Sequence, residues 1–107
     1  MADKDIELDD VIDVELETQN EVERPSMYAV ILHNDDYTPA EYVVYILVEY
    51  FKMDSTAANK TTWRIHLDVK GVVGIYPKDI AETKSQQVND DARSQGYPLT
   101  TTIEKQD

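Results

Sequence analysis

The sequence predicts an α+β fold: a three-stranded antiparallel sheet covered on one face by three helices, in the order β-α-α-β-α-β. Three observations predict it. Short apolar or alternating runs at 27–33, 69–76 and 99–103 have the length and β-branched content of strands. Runs with helical spacing and helix-start residues fill the gaps between them. No repeat and no internal linker interrupts residues 26–107, which read as one domain behind an acidic leader at 1–25.

The leader comes first. Residues 1–25 hold ten acidic residues against Lys4 and Arg24, a net of −8. Residues 26–107 hold twelve acids and eight bases, a net of −4. A segment so charged buries too little apolar surface to offset its ordering entropy, so a disordered, flexible extension is expected. Its scattered Ile6, Leu8, Val11, Ile12, Val14 and Leu16 leave a second reading, a segment that orders on a partner. Arg24-Pro25-Ser26 marks the boundary.

MYAVILH at 27–33 reads as a buried strand. HNDDY then turns. Thr38-Pro39-Ala40-Glu41 is a helix start: Thr38 as cap, Pro39 at the first helical position, Glu41 completing a capping box. Val43, Val44, Ile46, Leu47, Tyr50 and Phe51 follow with helical spacing. Asp54 or Ser55 opens a second helix to about Leu67. Its threonines make it a poor helix in isolation, dependent on packing. VKGVVGIY at 69–76 is a strand whose glycines predict a bend or a close backbone approach. Pro77 opens a third helix to about Gln95, with Gly96 closing it. Leu99–Ile103 alternates apolar residues with threonine, as a half-exposed strand does.

The composition excludes several functions. An acidic chain without a basic stripe does not suit nucleic acid or an anionic membrane. The absence of cysteine removes disulfides, thiolate catalysis and cysteine metal sites. No apolar run approaches the roughly 20 residues of a membrane span, and the N-terminus lacks a signal peptide's basic region and apolar core. A cytoplasmic protein is expected, with no cofactor and no enzymatic role.

HNDDYTPAE, residues 33–41, concentrates the polar groups. The plainest reading is a strand-to-helix turn, where Asn and Asp bond nearby backbone. A metal site would draw on His33, His66 and Asp35 or Asp36, but the histidines lack ligand spacing. A hydrolase lacks its nucleophile. A third chemistry is a receptor for a peptide α-ammonium, a charged group with three donors. Such a receptor offers acceptors only, and Asn34, Asp35, Asp36 and a neutral His66 are that set. His66 joins it only by meeting the turn in space. On its own a helix histidine is more often a satisfied or surface residue.

SMYAVILHNDDYTPAEYVVYIL, IHLDVKGVVGIY, AETK and YPLTTTIEK together resemble the ClpS family of bacterial adaptors, over about residues 25–105. The resemblance implies an adaptor for the N-end rule pathway. Such a protein binds N-degron substrates through a free N-terminal Phe, Tyr, Trp or Leu. It then delivers them to the AAA+ unfoldase ClpA of the ClpAP protease. It implies that Asn34, Asp35 and His66, with Asp36 nearby, hold the α-amino group. It implies a side-chain pocket lined by Thr38, Ala40, Val43, Thr62, Ile65 and Leu99. Tyr37, Asp79 and Lys84 correspond to the unfoldase-facing surface, and the leader to the extension used during handover. A monomer is expected.

Three positions depart from the family pattern. Ala40 and Thr62 stand where Met is common, and Val69 where Gly is usual. The smaller side chains predict a pocket that also admits Ile or Val, unless neighbours fill the space. Protonation of His66 would remove an acceptor, so binding should weaken as pH falls through about 6.5. The alternative function is an acidic interaction domain that regulates a partner without holding any N-terminus.

Overall fold

A computed structural model gives the fold over residues 26–106. The leader, read above as a flexible extension, lies outside the described residues. The expected order is the observed one: β1 (Met27–His33), α1 (Ala40–Phe51), α2 (Ser55–Asp68), β2 (Lys70–Pro77), α3 (Lys78–Ser94) and β3 (Thr100–Lys105). The sheet is antiparallel, in the order β2-β1-β3. The most apolar strand therefore takes the centre. Its alternate residues Val30 and Leu32 join the helices in the core, and Ala29 and Ile31 do not. Among the described residues no helix is long and apolar enough to cross a membrane.

α1 buries Val43, Ile46, Leu47 and Phe51, the stripe its spacing predicts. Its start differs from the expected capping box. The helix begins at Ala40, and Pro39 before it makes no side-chain cap. Thr38 instead donates its hydroxyl to Asp35 Oδ2 at 2.8 Å. Asp35 Oδ1 accepts the backbone N–H groups of Tyr37 and Thr38, each at 2.8 Å. A charged carboxylate just upstream is a stronger acceptor than a threonine hydroxyl, so an Asp-centred turn replaces the box.

α2 opens as expected, with Asp54 accepting the Ala57 N–H at 2.8 Å. It buries only Ala58 and Ile65. It ends at Val69, whose φ of 78° lies in the left-handed region. Both expectations for the glycine-bearing strand hold. The β1–β2 register slips between Val30↔Gly74 and Ile31↔Val72, leaving Val73 as the extra residue of a bulge. At Gly71 a Cβ would stand 2.9 Å from Ile65 Cγ1, so that glycine lets α2 lie close to the sheet.

α3 buries Ala81, Ser85, Val88 and Ala92. Gly96, at φ 81°, closes it. Its N–H bonds to the Arg93 carbonyl at 3.0 Å, and the Tyr97 N–H bonds to Ala92 at 2.9 Å. β3 is anchored where its threonines turn inward. Thr101 is buried; its N–H bonds to Asn89 Oδ1 at 2.8 Å and its hydroxyl pairs with Ser85 at 2.7 Å.

Candidate functional site

The polar turn and the end of α2 are joined by one backbone bond. The Asn34 N–H donates to the Val69 carbonyl at 2.7 Å. Lys70 pairs with His33 in the next step of the sheet. The last turn of α2 is thereby held beside residues 34–36. Asn34, Asp35, Asp36 and His66 line a single cavity of about 600 Å³. Its apolar wall includes the buried Val43 and Ile65, with Thr38, Ala40 and Thr62 beside them.

The cavity is rich in acceptors. Asp35, Asp36 and Glu41 bring three carboxylates to its lining, and among the described residues no Lys or Arg lines it. The hydroxyl protons of its threonines are already committed, Thr38 to Asp35 and Thr62 to the Ala58 carbonyl. Asn59 likewise spends an amide N–H on the Ser55 carbonyl. Asp35 shapes the turn with three accepted bonds. A carboxylate has about four acceptor positions, so roughly one remains. Such a lining suits a cationic donor group beside an apolar side chain.

Behind the cavity, Asp91 of α3 holds two tyrosines of α1. Tyr42 donates its hydroxyl to one carboxylate oxygen, and Tyr50 donates to the other at 2.6 Å. Burial, with the bond to Asp91, pushes the Tyr42 hydroxyl far above the ordinary tyrosine value. The Asp91 bond, with burial, pushes Tyr50 up to about 12.

Not every expected site residue lies here. Leu99 is only 1 % exposed; it packs in the core and is not on the cavity wall. Its place just before β3 sets it under the sheet. Tyr37 stands 80 % exposed on the turn. Asp79 lines a second hollow of about 440 Å³ with Ser26, Tyr28, Pro77, Lys78 and Glu82. Lys84 donates to the Tyr50 carbonyl at 2.9 Å and lies 5.4 Å from the Tyr76 ring centre. The pairing of β1 with β2 puts Tyr37 just past one end of β1 and Asp79 beside the other. Tyr37 and Asp79 therefore lie toward opposite ends of the strand. His33 sits within 2.8 Å of the Thr102 hydroxyl across the sheet. Among the described residues no three His, Asp or Glu side chains converge as a metal site.

The sequence reading missed Glu41, Val44, Asn59 and Trp63 on the lining. A signal was present for two of them. Asn59, Thr62, Trp63 and His66 are spaced three, four and seven residues apart, one face of a helix.

Comparison with known proteins gives the same picture. Residues 23–102 match the family model described as "ATP-dependent Clp protease adaptor protein ClpS". The chain is 48% identical over 87 residues to the ATP-dependent Clp protease adapter protein ClpS of Herminiimonas arsenicoxydans, covering 81% of this chain and 85% of that one. It is 48% identical over 92 residues to the protein of the same name from Shewanella pealeana, covering 86% and 90%. Its fold is similar to the structure of Agrobacterium tumefaciens ClpS2 bound to L-phenylalaninamide, with a TM-score of 0.76, 37% identity, and 78% of this chain and 100% of that chain covered. With the match spanning β1 through the first half of β3 and including the whole cavity, the chain belongs to the ClpS family of ATP-dependent Clp protease adaptors.

Proposed function

We propose that the cavity receives the first residue of a protein with a free N-terminus, and that the chain delivers such proteins to a ClpA-type AAA+ unfoldase for degradation. One observation carries the reading: acceptors from two separate segments, Asn34–Asp36 and His66, share a cavity with the apolar Val43 and Ile65. The α-ammonium goes to the acceptors, and the large first side chain goes to the apolar wall. A relative at 37% identity is bound to L-phenylalaninamide, a molecule with a free amine beside an aromatic side chain.

The magnitudes are sufficient. Burying one large apolar side chain contributes roughly 1.5–3 kcal/mol. Each charge-assisted hydrogen bond contributes about 1.5–3 kcal/mol. Less the cost of association, micromolar binding, about −8 kcal/mol, is within reach of a single residue. Recognition is by binding, with no bond made or broken.

Ala40 and Thr62, both on the lining, support a wider first-residue range that includes Ile and Val. Asp79 and Lys84 on α3 are the proposed unfoldase contacts, with Tyr37 as a separate one beside the cavity. A cytoplasmic location goes with the proposed delivery to that unfoldase.

A labelled peptide beginning with Phe, titrated against its N-acetyl twin, tests the reading. The free peptide should bind at micromolar concentration and the acetylated one at least about 100-fold more weakly, because desolvated acceptors would be left unpaired. Equal binding of the two would remove N-terminal recognition. In the same assay an Ile-peptide should compete with the Phe-peptide, and the Ala40→Met variant should lose that competition by about ten-fold or more.

A further inference from the structure

Trp63 is a large apolar residue left in water. It is 65 % exposed, yet it lines the cavity. It meets His66 edge to face, with ring centres 5.7 Å apart and an interplanar angle of 86°. The indole therefore stands beside the imidazole that, in the reading above, helps to hold the α-ammonium. Successive Cα atoms are about 3.8 Å apart. The second side chain of a bound protein accordingly departs within about one residue's length of that imidazole. A cavity of about 600 Å³ lies within the range of about 300–1,000 Å³ that takes a whole drug-sized ligand, more than one side chain fills. Two exposed carboxylates, Asp36 and Glu41, share its lining.

We propose that Trp63 reads the second residue of the bound chain and favours arginine there. The inference rests on the N-terminal reading of the same cavity and adds a second subsite to it. An indole face is the best aromatic partner for a cation, and the planar guanidinium stacks on it in a way the compact ammonium of lysine does not. The carboxylates at Asp36 and Glu41 attract any cation and supply the sign of the preference. Trp63 supplies its shape. Arginine and lysine carry the same charge, so the carboxylate field acts on both alike. The difference between them isolates the ring.

The test uses the full chain and three free peptides identical except at the second position: Phe-Arg, Phe-Lys and Phe-Ala. An N-acetyl Phe-Arg peptide is the control. The Arg peptide is expected to bind about three- to five-fold tighter than the Lys peptide, the size of an exposed cation–π contact. Both should bind tighter than the Ala peptide. The Trp63→Leu variant, which keeps apolar bulk without a ring, should bring the Arg-to-Lys ratio to about one, and Trp63→Phe should keep part of it. Each ratio is taken within one protein, so a general change in affinity does not enter. A ratio of one in the wild-type chain, or the same ratio in Trp63→Leu, would overturn the role of Trp63. Equal binding of the acetylated and free peptides would instead overturn the N-terminal reading beneath it.

Discussion

Val69 has a φ of 78°, and its side chain is 63 % exposed. A left-handed backbone costs an ordinary L-residue about 1–2 kcal/mol, and a β-branched side chain fits it especially badly. The strain sits where it matters for the site. The carbonyl of Val69 accepts the Asn34 N–H and so ties the acceptor turn to α2. The family resemblance implies Gly at this position, and a left-handed backbone angle is one that glycine adopts without that cost. Little packing is lost on removing an exposed side chain. Val69→Gly is therefore expected to raise stability by about 1 kcal/mol, after allowing for glycine's larger unfolded-state entropy. The urea midpoint measures it. A lower midpoint in the variant would mean that the Val69 side chain contributes more by packing than its backbone angle costs.

Helix α1 carries the first turn of the cavity wall, and its other side is fixed to α3 through Asp91. Tyr42 and Tyr50 are eight residues apart on α1, on the same side of the helix, and both hydroxyls donate to that one carboxylate. The fold favours the neutral phenols, so both titrate above the ordinary value of 10, Tyr50 at about 12. A raised value means that the stabilisation is complete below about pH 10 and is lost as pH rises through about 12. Urea midpoints should fall across that window. The fall should be shallower in the Tyr42→Phe/Tyr50→Phe variant, and an equal slope in both proteins would remove Asp91 as the link. This link was not legible in the sequence, where Tyr50 reads only as one of the apolar positions of its helix. The pairing depends on which faces α1 and α3 turn to each other. What the sequence did disclose is local. The β1 run, the Pro39 helix start and the Gly96 stop carry their own signals, so the element order follows from residues 27–103. The bond network of the turn was harder to foresee, because the Thr38 hydroxyl and the Asp35 carboxylate both stand before the helix as acceptors, and the charged one organises the turn. The same limit explains Leu99 and Trp63. Whether a side chain ends in the core or on a cavity wall is set by neighbours distant in sequence.

At the scale of the whole molecule, the two hollows lie at opposite ends of the central strand. The acceptor turn follows His33, whereas Asp79 and the second hollow flank Met27. A seven-residue strand separates them by roughly 20 Å. The chain enters the described fold at Ser26, so the leader joins at the end away from the acceptor-lined cavity. Twenty-five residues reach at most about 85 Å when extended, several times the length of β1. If the leader serves handover to the unfoldase, binding and delivery are functions of different ends and should separate. Removing residues 1–25 takes the formal net charge from −12 to −4, yet every residue on the cavity lining remains. The shortened chain is expected to keep micromolar affinity for a Phe-peptide, weakened at most about three-fold by the smaller negative field, which salt screens in any case. Degradation of a Phe-started protein by the unfoldase and its peptidase should fall at least ten-fold. Peptide titration and a degradation assay on the same preparation measure the two separately. Loss of peptide binding in the shortened chain would mean that the leader completes the cavity; undiminished degradation would mean that the folded part alone performs the handover.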